Sequence, residues 1–113
     1  MARRPPRPTF GVVAATGDDA TTVLVTGDVD LATSPRLARC LEDHDGATRL
    51  VVDLTGVRFL DSSGMAVLVR AARRARKAGR GLVLRPPEDP GVRRALDVAG
   101  LLAALPFEPP AEP

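Results

Sequence analysis

The stretch Leu50-Val51-Val52-Asp53-Leu54-Thr55-Gly56-Val57-Arg58-Phe59-Leu60-Asp61-Ser62-Ser63-Gly64-Met65 decides how the rest of the chain is read. The run Leu50 to Leu54, apolar but for Asp53, is short and β-branched enough for a strand of a sheet covered on both faces, and Thr55-Gly56 predicts the end of that strand. A helix follows a short loop. Met65, Leu68, Val69, Ala72 and Ala75 recur at helical spacing, with Arg70, Arg73, Arg74 and Lys77 on the other side. Asp61, Ser62 and Ser63 then fall at the helix N-terminus as capping residues, where free N–H groups and the helix dipole favour negative charge. A phosphate on one of those hydroxyls would be well placed.

Upstream, Thr9 to Ala15 and Thr21 to Val25 are β-prone runs flanking Thr16-Gly17-Asp18-Asp19-Ala20, which predicts a hairpin. The second run ends at Thr26-Gly27, and Asp28-Val29-Asp30 lead into a helix with Ser34 as N-cap and Pro35 at its first position. Leu37, Cys40, Leu41 and His44 share one face of that helix, and Gly46 is its expected stop. Cys40 reads as a small core residue and His44 as a last-turn residue, so neither is assigned chemistry.

Downstream, Gly79-Arg80-Gly81 closes the second helix and Leu82-Val83-Leu84 reads as another strand. Asp89 caps a third helix that Pro90 begins and Gly100 ends, with Val92, Ala95, Leu96 and Ala99 facing inward. Leu102 to Phe107 supplies a last short edge strand before Pro109 and Pro110 stop further structure. The order β-β-α-β-α-β-α-β predicts an α/β fold with a mixed four- to five-stranded sheet and about three helices.

The 113 residues suffice for one core, built from Val, Leu and Ala because the chain has three Phe and no Trp or Tyr. Residues 1–8, with three Arg and three Pro, predict a disordered basic tail, 9–108 the domain, and 109–113 a second disordered tail. The N-terminus lacks the apolar core of a signal peptide and no run approaches the roughly 18 to 20 apolar residues that span a bilayer. A single cysteine allows no intrachain disulfide and suggests no metal centre, so a cytoplasmic protein without cofactor is the economical expectation.

The formal charge is only +2, with basic residues concentrated in the N-terminal tail and from Arg70 to Arg85. Without stacking aromatics, a helix-turn-helix pattern or zinc ligands, a solvated helix face explains this cluster better than direct nucleic-acid binding. Ser62 lacks the base a nucleophile needs, since the one histidine sits on a different helix, and its surroundings are not a Gly-x-Ser-x-Gly elbow. No Gly-rich loop runs into Lys-Ser or Lys-Thr, so no nucleotide site is indicated and the chain is not expected to be an enzyme. Capping physics alone would make both serines structural.

The motif Asp53-Leu54-Thr55-Gly56-Val57-Arg58-Phe59-Leu60-Asp61-Ser62-Ser63-Gly64-Met65 resembles the signature of the STAS domain family, and is most similar to the bacterial anti-sigma factor antagonists. Val25 to Asp30 and Asp97 to Leu101 are similar to two further landmarks, so the resemblance runs from about Thr22 to Phe107. It implies a STAS-type fold with the helices mainly on one face, and a further C-terminal helix that this chain's proline-rich end departs from. It also implies that Ser62 is phosphorylated by a partner anti-sigma factor with serine kinase activity, while Ser63 satisfies helix N–H groups. The unmodified protein, a monomer when free, would bind that kinase and release a sigma factor; the phosphorylated form would not. The implied contact residues are Asp28 and Asp30 on an acidic loop, with Arg58, Asp61, Ser62, Ser63, Gly64 and Met65; Phe59 and Leu60 would extend the same surface. STAS domains also serve as adaptor subunits of transporters or stress-signalling complexes, which is the alternative function.

Overall fold

The computed structural model describes residues 9–109; residues 1–8 and 110–113, where most of the two expected tails fall, lie outside the described residues. Eight elements follow in order: β1 (Gly11–Thr16), β2 (Thr21–Val29), α1 (Ser34–Asp43), β3 (Arg49–Leu60), α2 (Ser62–Ala78), β4 (Gly81–Arg85), α3 (Pro90–Val98) and α4 (Leu101–Ala104). The sheet has the order β1-β2-β3-β4, antiparallel between β1 and β2 and parallel thereafter. Hairpin and crossovers follow from the sequence: residues 17–20 make the tight turn, and α1 and α2 each return the chain to a neighbouring parallel strand.

Period-2 alternation sets the faces. Thr21, Val23, Val25 and Val29 of β2 are buried, and Leu50, Val52 and Leu54 of β3 join them in one core with Leu37 and Leu41 of α1, Val67 and Leu68 of α2, and Val92 and Leu96 of α3. The opposite face carries no helix: Val51 is buried at the sheet centre, but Val13 and Leu24, paired with each other on β1 and β2, are 63% and 41% exposed. The apolar run of β3 is therefore not covered by helices on both sides.

β3 does not end at Thr55-Gly56; it continues to Leu60 through two irregularities in its pairing with β2. Asp53 Oδ1 accepts from the Thr55 N–H at 2.9 Å and from Thr55 Oγ1 at 2.6 Å, holding the irregular backbone from within. Gly56 is required where the strands close up again, since a Cβ there would meet Thr26 Cγ2 at 2.9 Å. What reads locally as a turn is thus a bulge. Burial pushes the Asp53 carboxyl up, yet the Thr55 hydrogen bonds and the Arg85 guanidinium outweigh it and hold the group below its ordinary value.

Three further expectations are corrected. α1 ends at Asp43 with His44 as C-cap, and Gly46 does not adopt the left-handed conformation that would make it the stop. Ser34 is the first helical residue rather than the cap; Thr33 precedes the helix, and Asp30 holds the turn. Instead of an edge strand over Leu102–Phe107, Gly100 (φ 76°) restarts the chain as the single turn α4, and residues 106–108 meet β4 only around the Leu84–Phe107 bridge. Pro106 has no N–H to extend a ladder. Gly79 (φ 68°) and Asp89, which accepts from the Val92 N–H at 3.1 Å, cap α2 and α3 as expected. Cys40 packs against the core, and burial followed by the Asp43 charge pushes its thiol pKa up.

Candidate functional site

The C-terminal ends of β2 and β3 and the N-terminus of α2 meet at one edge, because β2 and β3 are parallel neighbours and Val29 pairs with Leu60. The Asp61 N–H closes the junction by donating to the Val29 carbonyl at 3.2 Å. Gly64, in the first turn of α2, packs directly on it: an added Cβ would lie 2.5 Å from Leu60 Cδ1 and 2.7 Å from Val29 Cγ1. Gly64 is accordingly buried, and what it supplies is close approach rather than a contact surface. Gly64→Ala should destabilise the fold: overpacking costs about 1–3 kcal/mol, more than the up to about 1 kcal/mol that alanine gains in helix propensity. A lowered urea midpoint with unchanged slope is the expected result; an unchanged midpoint would mean that Leu60 and Val29 give way.

The three residues Asp61, Ser62 and Ser63 do different work. Asp61 is the N-cap, and its Oδ1 accepts from the N–H groups of Ser63 at 2.9 Å and Gly64 at 3.2 Å. The Ser63 hydroxyl donates to the same Oδ1 in a short hydrogen bond. Ser63 therefore does not satisfy helix N–H groups; Asp61 does, and Ser63 is tied to Asp61. The Ser63 hydroxyl, with the backbone N–H groups of Gly64, Ser63 and Leu31, outweighs desolvation and holds the Asp61 carboxyl below its ordinary value. Asp61 is thus a fixed negative charge at neutral pH.

Ser62 is the exception. It is exposed, and the side-chain hydrogen bonds of the cap, all among Asp61, Ser63 and Gly64, leave its hydroxyl out. Of the two hydroxyls at the cap, it is the free one.

Across the junction, Asp28 lies within β2, paired with Phe59, rather than on a loop; only its carbonyl is engaged by a side chain, accepting from Thr33 Oγ1 at 2.8 Å. Asp30 follows the strand, and its Oδ1 accepts from the N–H groups of Ala32 and Thr33 at 3.0 Å each and from Thr33 Oγ1 at 3.1 Å. Asp30 therefore shapes the β2–α1 turn. Among the described residues no salt bridge involves Asp28, Asp30 or Asp61, so this edge is acidic. Arg58 is exposed beside it, whereas Met65 turns partly into the core.

Two large apolar side chains stand out from the same edge. Phe59, two residues before Asp61, is 49% exposed, and Leu31, whose N–H approaches the Asp61 carboxylate, is 77% exposed. Leu31 is the residue that sequence reasoning misses. An isolated Leu in a polar loop carries no signal; it becomes notable only when folding sets it beside Asp61. Among the described residues, no group of three His, Cys, Asp or Glu could hold a metal ion, and no helix is long and apolar enough to cross a membrane.

Comparison with known proteins bears on this edge. The sequence model of the family described as "Mlab, STAS domain" matches residues 12–106. An anti-sigma-B factor antagonist of Listeria monocytogenes serovar 1/2a is 34% identical over 64 residues, 55% of this chain and 56% of that protein, so the match spans about half of the relative's length. The crystal structure of an anti-sigma factor antagonist from Mycobacterium paratuberculosis superposes with a TM-score of 0.79 at 27% identity, covering 89% of this chain and 86% of that one. The Bacillus cell fate determinant SpoIIAA in its phosphorylated form shares the fold at a TM-score of 0.65 and 17% identity, over 90% of this chain and 93% of its own.

Proposed function

The chain belongs to the STAS domain family, and from that premise we propose that it is an anti-sigma factor antagonist whose binding edge is switched by phosphorylation of Ser62. The observation that carries this reading is the contrast at the start of α2: Asp61 and Ser63 are locked to each other, while Ser62 presents a free, exposed hydroxyl. The name of the Listeria relative and the Mycobacterium structure support the functional class. The partner is an anti-sigma factor with serine kinase activity, which brings ATP and magnesium; this chain supplies the acceptor and the docking edge, in the cytoplasm.

The cap geometry supports a particular form of switch. Phosphate adds about −1.5 to −2 charge and three acceptor oxygens. A helix N-terminus would ordinarily neutralise part of that charge, but the N–H groups of Ser63 and Gly64 are already taken by Asp61. A phosphate on Ser62 would instead stand next to an ionised carboxylate on an edge that also holds Asp28 and Asp30. The added charge faces outward, toward whatever docks there. Modification then releases the partner without refolding the domain.

Intact-mass measurement of the protein from its native cells, with fragmentation to place any phosphate, tests this. The expected result is a phosphate on Ser62. A phosphate on Ser63 would keep the switch and overturn the residue assignment, and an unmodified protein under several growth conditions would favour an adaptor subunit of a larger complex.

A further inference from the structure

At the other end of α2 the fold leaves part of the helix's apolar stripe only half-buried. Beyond Gly64, the residues α2 buries are Val67, Leu68 and Ala71; Val69, Ala72 and Ala75, one step around the helix, line a groove of about 680 Å³ shared with Leu82 of β4 and with Leu101 and Leu105. Ala72 is about 15 Å along the helix axis from Ser62 at 1.5 Å per residue, so the groove is distinct from the phosphorylation edge. Its volume lies within the roughly 300–1,000 Å³ typical of small-molecule sites. Arg73, Arg76 and Arg80 stand on its rim, none of them in a salt bridge among the described residues, and no acidic side chain lines it. A solvated cationic helix face accounts for the arginines alone; it does not account for an aliphatic trough beneath them.

We propose that this groove binds an amphipathic anion: a medium-chain acyl carboxylate, with its chain along Val69, Ala72 and Leu82 and its carboxylate among Arg73, Arg76 and Arg80. The lining selects this class. It has no aromatic ring to stack a base and, apart from the guanidinium groups, no side-chain donor or acceptor for sugar hydroxyls or base edges, which disfavours a nucleotide. Aliphatic walls suit a saturated chain, and guanidinium groups bind carboxylates through two parallel hydrogen bonds. The ligand is the free acid, not a membrane.

Dodecanoate, below its micellar concentration, is the probe. Titration of the full chain followed by amide NMR should give saturable one-to-one shifts confined to residues 69–82 and 101–106. Butyrate, which keeps the head, and dodecyltrimethylammonium, which keeps the tail and inverts the charge, should each bind at least tenfold more weakly. Replacing Arg73, Arg76 and Arg80 together by Gln should weaken dodecanoate at least tenfold, and Ala75→Phe, which fills the groove, should do the same with the circular-dichroism spectrum unchanged. Shifts elsewhere in the chain, equal binding of the cationic analogue, or wild-type affinity in either variant would overturn the proposal. So would binding to phosphatidylglycerol vesicles in the absence of dodecanoate binding, which would make the patch a membrane contact. None of these outcomes depends on the phosphorylation switch.

Discussion

Ser62→Ala should bind the kinase partner as tightly as the unmodified protein and accept no phosphate, whereas Ser62→Asp should bind at least tenfold more weakly, a loss of about 1.4 kcal/mol or more. The direction follows from the cap. Asp61 has engaged the N–H groups that would otherwise stabilise a negative charge at the start of α2, and its own carboxyl stays ionised. Any charge placed on residue 62 is therefore unpaired within the domain. Burying an unpaired charge in a complex costs several kcal/mol unless the partner provides a cation. Full phosphorylation, with its larger charge, should weaken the complex more than Ser62→Asp does. Titration calorimetry with the purified partner separates the forms; equal affinity for wild type, Ser62→Ala and Ser62→Asp would remove the switch. Thermal unfolding should be nearly unchanged in both variants, because Ser62 is exposed and its hydroxyl takes no part in the hydrogen bonds of the cap.

The order of the first seven elements was legible because each signal was local and strong: the Gly-Asp turn of the hairpin, Asp89-Pro90 at the start of α3, Gly79 and Gly100 at helix ends. The misses came where tertiary structure overrules a local signal. Thr55-Gly56 has the composition of a turn, but Asp53 holds the irregular backbone and Thr26 pairs with Gly56, so the strand runs on and brings Phe59 and Leu60 to the site. The stripe on α2 was displaced by one position, since spacing fixes which residues share a side but not where the neighbouring layer stops. At the site itself, sequence could group Asp61, Ser62 and Ser63 at a helix start. It could not say which hydroxyl is engaged, because that depends on the short hydrogen bond from Ser63 to Asp61. Asp30 reads as a surface acid and proves to be the hub of a turn; replacing it would disturb Ala32 and Thr33 together with any partner contact.

Leu31 and Phe59 carry no such structural duty, being the exposed apolar residues of this edge. Leu31→Ser combined with Phe59→Thr should weaken partner binding at least about a hundredfold, as expected when two buried apolar anchors are removed from the middle of an interface. Charges at an interface rim chiefly set association rate and salt dependence, whereas apolar and aromatic groups desolvated at its centre carry most of the affinity. Leu31 follows β2 with its N–H at the Asp61 carboxylate, and Phe59 lies at the end of β3 paired with Asp28, so both exposed side chains belong to the edge that carries Ser62 and can serve as an anchor pair there. Both are largely outside the core, and Thr keeps the β preference of residue 59, so unfolding temperature should fall by no more than a few degrees. The same pair of changes should slow association only slightly while accelerating dissociation, the reverse of what neutralising Asp28 would do. A double variant with wild-type affinity would place the partner elsewhere and leave Leu31 a plain loop residue. One that loses affinity through association rate alone would return the acids to the centre of recognition.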